Sequence, residues 1–114
     1  MTDIQKINIV ASFPNRFKEA NLGIDISYLE FKLFEKGIFA KDMDDKWNVF
    51  VLNNTIYLAR SWTNFCIYKI PLEFKDKHVF LRNFCVNRDK AQYTSVDLKY
   101  DTTLLKNLLE HFCK

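Results

Sequence analysis

Residues 47–70 read WNVFVLNNTIYLARSWTNFCIYKI, and the fold turns on this stretch. Trp47 to Leu52 is an apolar run, Asn53-Asn54 a polar pair, and Thr55 to Arg60 a second run of β-favouring residues. Asparagine tolerates the positive φ that a tight primed turn demands, so the two runs are expected to pair as a hairpin across two residues. After Arg60-Ser61-Trp62-Thr63 comes a third strand, Phe65 to Leu72, rich in aromatic and β-branched side chains and closed near Pro71.

Downstream, Glu73 to Lys77 reads as a charged turn and His78 to Asn87 as a fourth strand. Strict alternation there puts Phe80, Arg82, Phe84 and Val86 on one face and Val79, Leu81, Asn83 and Cys85 on the other. Asn87-Arg88-Asp89 opens a polar connection. A helix capped by Asp101 or Thr102 is expected next, with Leu104, Leu105, Leu108, Leu109 and Phe112 as its apolar stripe and Lys106, Asn107 and Glu110 facing water.

Upstream the pattern is weaker. Residues 3–13, with Ile4, Ile7, Ile9, Val10 and Phe13, read as a strand broken at Pro14-Asn15, and Arg16 to Asn21 as one or two helical turns. Residues 24–40 carry two signals. Ile24, Ile26 and Tyr28 alternate like a strand, whereas Ser27 with Glu30 three residues on forms a capping-box pattern before Leu29, Leu33 and Phe34, and Gly37 is a stop. The helix reading is preferred. Lys41 to Lys46, with Asp42, Asp44 and Asp45, reads as a solvated loop, because the calcium-loop spacing is absent.

These segments add up to an α+β domain: an antiparallel meander of four to six strands with helices packed on one face, in two layers. A chain of 114 residues suits one domain, 1–114, in which 1–45 extends the sheet and helix layer and 46–114 bears the motifs. A sheet this aromatic needs its second face covered, either by the N-terminal segment or by a second copy of the chain, and a homodimer is expected.

Composition narrows the function. No segment is long and apolar enough to span a bilayer, and the first residues lack a signal-peptide pattern, so a cytoplasmic protein with no membrane partner is expected. Cys66, Cys85 and Cys113 are an odd number with no Cys-x-x-Cys pair, and His78 and His111 lie far apart, which argues against a disulfide framework or a metal site. The net charge of +3 is too small for a nucleic-acid footprint. It is uneven, however: residues 1–46 hold seven Lys or Arg against eight Asp or Glu, and residues 47–114 hold ten against six. Two glycines leave no room for a Gly-rich phosphate loop, no Ser-His-Asp arrangement can be placed, and no cofactor is implied.

The chemistry on offer is recognition of an anion. Arg60 presents a fork of donors, Trp62 a stacking face, and Ser61 and Thr63 hydroxyls for ribose or phosphate. The bland alternative makes Trp62 a core aromatic and the hydroxyls turn formers. At the far end of the fourth strand, Asn87, Arg88 and Tyr93 offer a second arginine with an amide and a phenol, against the alternative of a self-bonded turn. Arg82 lies mid-strand, either exposed with its stem on neighbouring rings or aimed into a pocket.

From Lys46 onward the chain resembles a family of small bacterial and phage proteins that share a Trp before a hairpin, Arg-Ser-Trp-Thr-Gly, a Cys-Ile-Tyr strand and Asn-Arg-Asp followed by Gln-Tyr. Here these stand as Lys46-Trp47, Arg60-Ser61-Trp62-Thr63, Cys66-Ile67-Tyr68-Lys69, Val86-Asn87-Arg88-Asp89 and Gln92-Tyr93. The match spans about the last 69 residues in order, and Asn64 stands where the family has glycine. The resemblance implies a small ADP-ribose-type nucleotide as ligand. On that basis Arg60, Ser61, Trp62, Thr63, Arg82, Asn87, Arg88 and Tyr93 form the expected ligand-binding set, with no catalytic or metal-binding residue, in a protein that sequesters its ligand. A protein-interaction module using the aromatic sheet face, and an enzyme on the same nucleotide class, are the rivals.

Overall fold

The structure is a computed structural model and describes residues 1–113. Among these residues lie three helices and six strands: α1 (Asp3–Ala11), β1 (Phe17–Ser27), α2 (Tyr28–Lys36), β2 (Trp47–Leu52), β3 (Thr55–Arg60), β4 (Cys66–Pro71), β5 (Glu73–Lys75), β6 (His78–Asn87) and α3 (Leu98–Phe112). The strands form one antiparallel sheet in the order β1-β6-β4-β3-β2, with β5 also on β6. The fold is therefore α+β. β2, β3, β4 and β6 make the meander, and β1 returns to pair along nearly all of β6.

The hairpin is as expected. Asn53 (φ 51°) and Asn54 (φ 57°) both take left-handed backbone, which lets Leu52 pair with Thr55 and carries the register to Trp47 opposite Arg60. The capping box also forms: Ser27 Oγ accepts the Glu30 N–H at 3.1 Å, and Glu30 accepts the Ser27 N–H at 2.9 Å. Both signals in residues 24–40 were real, since Ile24 and Ile26 belong to β1 and the helix begins one residue past the cap. Gly37 ends α2 at φ 96°, where a Cβ would clash with the Phe39 ring.

Four upstream and downstream readings change. Residues 3–11 are helix, because Thr2 and Gln5 form a second capping box and Asp3 lies in the first turn; this local capping outweighs the isoleucines. Arg16 to Asn21 is the start of β1, held by its long-range pairing of Phe17 with Asn87 through Asn21 with Asn83. The last helix starts earlier than expected, at Asp97, whose carboxylate accepts the Lys99 and Tyr100 N–H groups. In the expected charged turn, residues 73–75 pair with β6, leaving Asp76 (φ 47°) and Lys77 to turn.

The faces of β6 change as well. Val79 and Leu81 are buried, and so are Phe84 and Val86, so the inward set slips by one residue between them. The slip sits where β1 bulges between Asn21 and Ile24, at Gly23 (φ 66°).

The main core lies between the sheet and the helix layer of α2 and α3, with Phe31, Phe34, Leu105 and Leu109 packed on Val49, Ile56, Leu58, Tyr68, Leu81 and Phe84. The second face carries a smaller cluster, Phe50, Tyr57, Ala59 and Cys66, and α1 covers it through Ile9 with Val10 alongside. Of the two covers expected for that face, the N-terminal segment is the one seen. No helix among the described residues is long and apolar enough to cross a membrane.

Candidate functional site

An aromatic row joins the two arginine motifs. Trp47 lies 5.8 Å from Tyr68, and Tyr68 lies 6.4 Å from Tyr93, ring centroid to centroid. Arg60 caps one end, its guanidinium 5.1 Å from the Trp47 ring; Arg88 and Asp101 close the other. The strand ends that carry the motifs do lie side by side, since the Asn87 amide donates to the Cys66 carbonyl at 2.9 Å. The two ends nevertheless differ in chemistry.

At the Arg88 end the side chains of Asn87, Arg88, Tyr93 and Asp101 bond within the protein. Asp101 is fully buried, and Arg88 is 12% exposed. The Arg88 guanidinium donates to the Asp101 carboxylate at 2.5 Å and to the carbonyls of Asn87 and Ser95 at 3.3 and 3.2 Å. Tyr93 donates its hydroxyl to the other Asp101 oxygen at 2.7 Å. Burial raises the pKa of the Tyr93 and Tyr68 phenols, so both remain neutral donors. The Asn87 amide also donates to Gln92 at 2.8 Å and its oxygen accepts the Asp89 N–H. Asp89 in turn accepts the Ala91 N–H. The Asn-Arg-Asp turn with Gln92 and Tyr93 is thus a lock that fastens the 88–97 connection to α3.

Most of the other expected site residues are also committed. The Ser61 hydroxyl donates to the Asp45 carbonyl at 2.7 Å and ties the β3–β4 turn to the 41–46 loop. Thr63 Oγ1 accepts the Phe65 N–H at 3.2 Å. Arg82 forms a two-pronged pair with Glu73 at 2.9 and 3.1 Å, its guanidinium 5.1 Å from the centre of the Phe80 ring. It lies five residues along β6 from Asn87, roughly 17 Å at strand rise, and is not brought to either motif. Trp62 is 69% exposed on the turn. Asn64 follows at φ 60°, and its side chain accepts from Asn48 at 3.3 Å. A left-handed backbone is thus what this position requires, and glycine and asparagine both supply it.

Arg60 is different. Among the described residues it makes no ion pair, and it opens into a cleft of about 580 Å³ between the hairpin, the 41–46 loop and α3. Trp47, Lys41, Lys46, Tyr100, Leu104 and His111 line it, with Asp44 and Asp45 on the loop side. Asp45 is partly engaged, accepting the Lys41 N–H at 3.0 Å. The arrangement offers a stacked guanidinium, two ammonium groups and an exposed phenol ring around an apolar wall, which suits an anion attached to a flat ring.

Sequence reasoning passed over Trp47, Tyr100, Lys41, Lys46 and His111 as site residues. It also read Asp101 as a helix cap. A signal for Asp101 was present: it stands four and eight residues before Leu105 and Leu109, on the apolar stripe, where a carboxylate needs a buried cation. No family model, curated protein or solved structure matches the chain.

Proposed function

We propose that the chain binds and sequesters a small anionic nucleotide of the ADP-ribose type in the Arg60 cleft, without turning it over. The observation that carries this reading is Arg60 itself, stacked on Trp47 and without a carboxylate partner among the described residues, at the mouth of a cleft whose volume falls within the roughly 300–1,000 Å³ of small-molecule sites. Arg60 with Lys46 and Lys41 would take the phosphates, Tyr100 would carry the base, and Asp44 would accept from ribose hydroxyls. Trp62 stands outside this cleft lining as an exposed aromatic that would serve a longer ligand. The family resemblance supports the ligand class, with Arg88, Asn87 and Tyr93 now reassigned to holding the scaffold. In a phage setting, such a protein withdraws a host defence signal of the cyclic ADP-ribose kind from the cytoplasm. The rival that docks a partner on the aromatic sheet face is left with less surface, since α1 covers Phe50 and Tyr57.

Calorimetry with ADP-ribose, cyclic ADP-ribose and AMP tests the reading, together with chromatography of the ligand released by heating. Binding of one of these, lost in Arg60→Ala and with the ligand recovered intact, is the expected result. Failure of all three to bind, or equal binding by Arg60→Ala, refutes it. Recovery of a hydrolysed ligand instead favours the enzyme.

A further inference from the structure

Beyond the Arg60 cleft the same groove continues between the ends of α2 and α3. We infer that this second section is a docking site for an acidic, apolar-anchored peptide segment of a protein partner. Its volume is about 710 Å³, and Ile38, Phe39, Lys41, His111 and Phe112 line both sections, so the groove is continuous. This section meets α3 at His111 and Phe112 and follows the chain from Leu33 near the end of α2 to Lys41, so it holds a short segment at the outer end of the Arg60 cleft.

Two independent features define the occupant. The first is charge. Among the described residues, the ionisable ones lining this section are Lys36, Lys41 and His111, with no carboxylate; Asp44 and Asp45 belong to the cleft end. Lys36 and Lys41 are exposed, and neither ammonium enters an ion pair among the described residues. Lys36 and His111 stand in the last turns of their helices, where a cation also offsets roughly half a negative charge at each helix end. Lys41 belongs to neither helix and has no such duty. Two ammonium groups against two half charges leave the section net positive before His111 is counted.

The second feature is apolar surface that the chain itself leaves uncovered. Half-buried Phe39 lies in the groove floor; the uncovered surface is Leu33, 42% exposed, and Leu29, one turn earlier on α2 and 80% exposed. Leucines four residues apart share one helix face, so they form a ledge leading into the groove. An exposed apolar strip rimmed by cations is the complement of a segment that sets Asp or Glu beside Leu, Ile or Phe. An open groove of this shape fits a chain segment better than it encloses a lipid.

The test is selection of a random 12-residue displayed peptide library on the full chain, followed by fluorescence anisotropy of the enriched peptides as synthetic probes. Enriched sequences should combine acidic with large apolar residues, and their affinity should fall at least tenfold in Lys36→Glu/Lys41→Glu. Their amide shift changes on the wild-type protein should centre on Leu33, Phe39 and Phe112, a readout independent of how the variant folds. No enrichment, enrichment of neutral or basic peptides, unchanged affinity in a folded charge-reversal variant, or shift changes elsewhere overturns the inference.

Discussion

Replacing Arg88 by alanine removes the only cation, among the described residues, paired with the wholly buried Asp101 carboxylate. In the wild type the Arg88 guanidinium meets the Asp101 carboxylate at 2.5 Å and two backbone carbonyls within 3.3 Å. In Arg88→Ala, Asp101 keeps the Tyr93 hydroxyl at 2.7 Å but loses its counter-charge. Breaking a buried pair on one side costs about 3–5 kcal/mol. For a domain of this length that corresponds to a fall in Tm of about 12–20 °C. Urea unfolding followed by tryptophan fluorescence measures it, since Trp47 packs on Tyr68 at the centre of the network. The double variant Arg88→Met/Asp101→Leu should recover most of the loss, because neither charge is then stranded. An Arg88→Ala variant within about 1 kcal/mol of wild type would refute the lock and return Arg88 to the list of ligand-binding candidates.

Three further outcomes follow from local geometry. Asn64→Ala should cost about 1–2 kcal/mol for its left-handed backbone, whereas Asn64→Gly should stay within about 0.5 kcal/mol in the same urea assay. Ser27→Ala should cost about 1 kcal/mol through the lost α2 cap, with circular dichroism still reporting a folded chain. The third concerns alkaline pH. Burial raises the Tyr68 and Tyr93 phenols and pushes the Cys66 thiol up to about 12. These groups are neutral in both states below their unfolded values, so their contribution is complete there. It is lost as pH rises past about 9 for the thiol and about 10 for the phenols, where the unfolded chain releases protons first. The urea midpoint should therefore fall between about pH 8 and about pH 11, and a flat profile would contradict the burial of this network.

The sequence was most legible where chemistry is local. Asn53-Asn54 selects its turn by backbone conformation, and Ser27 with Glu30 starts a helix by satisfying two amide groups, so neither needed knowledge of the rest of the chain. Thr2 with Gln5 is a signal of the same kind that the isoleucines of α1 obscured. Only the second half of β1 was legible, through Ile24 and Ile26; residues 17–21 take their strand state from β6, more than sixty residues away in sequence, and show no clear alternation. The site was legible only in part. Residue types could show that Arg60 and Arg88 are both capable of holding an anion. What separates them is a partner 13 positions on, Asp101, which satisfies one arginine and leaves the other open. Lys46 and Tyr100 joined the candidate site through packing of the 41–46 loop and α3 around Trp47, which no spacing encodes.

The most direct test of that division is the side-chain Nε–H spectrum of the four arginines, Arg16, Arg60, Arg82 and Arg88, recorded as ADP-ribose is added to the wild-type protein. The account predicts that the Arg60 resonance moves with saturation while that of Arg88, held by Asp101, stays in place. Movement of Arg88 with Arg60 unchanged would contradict it.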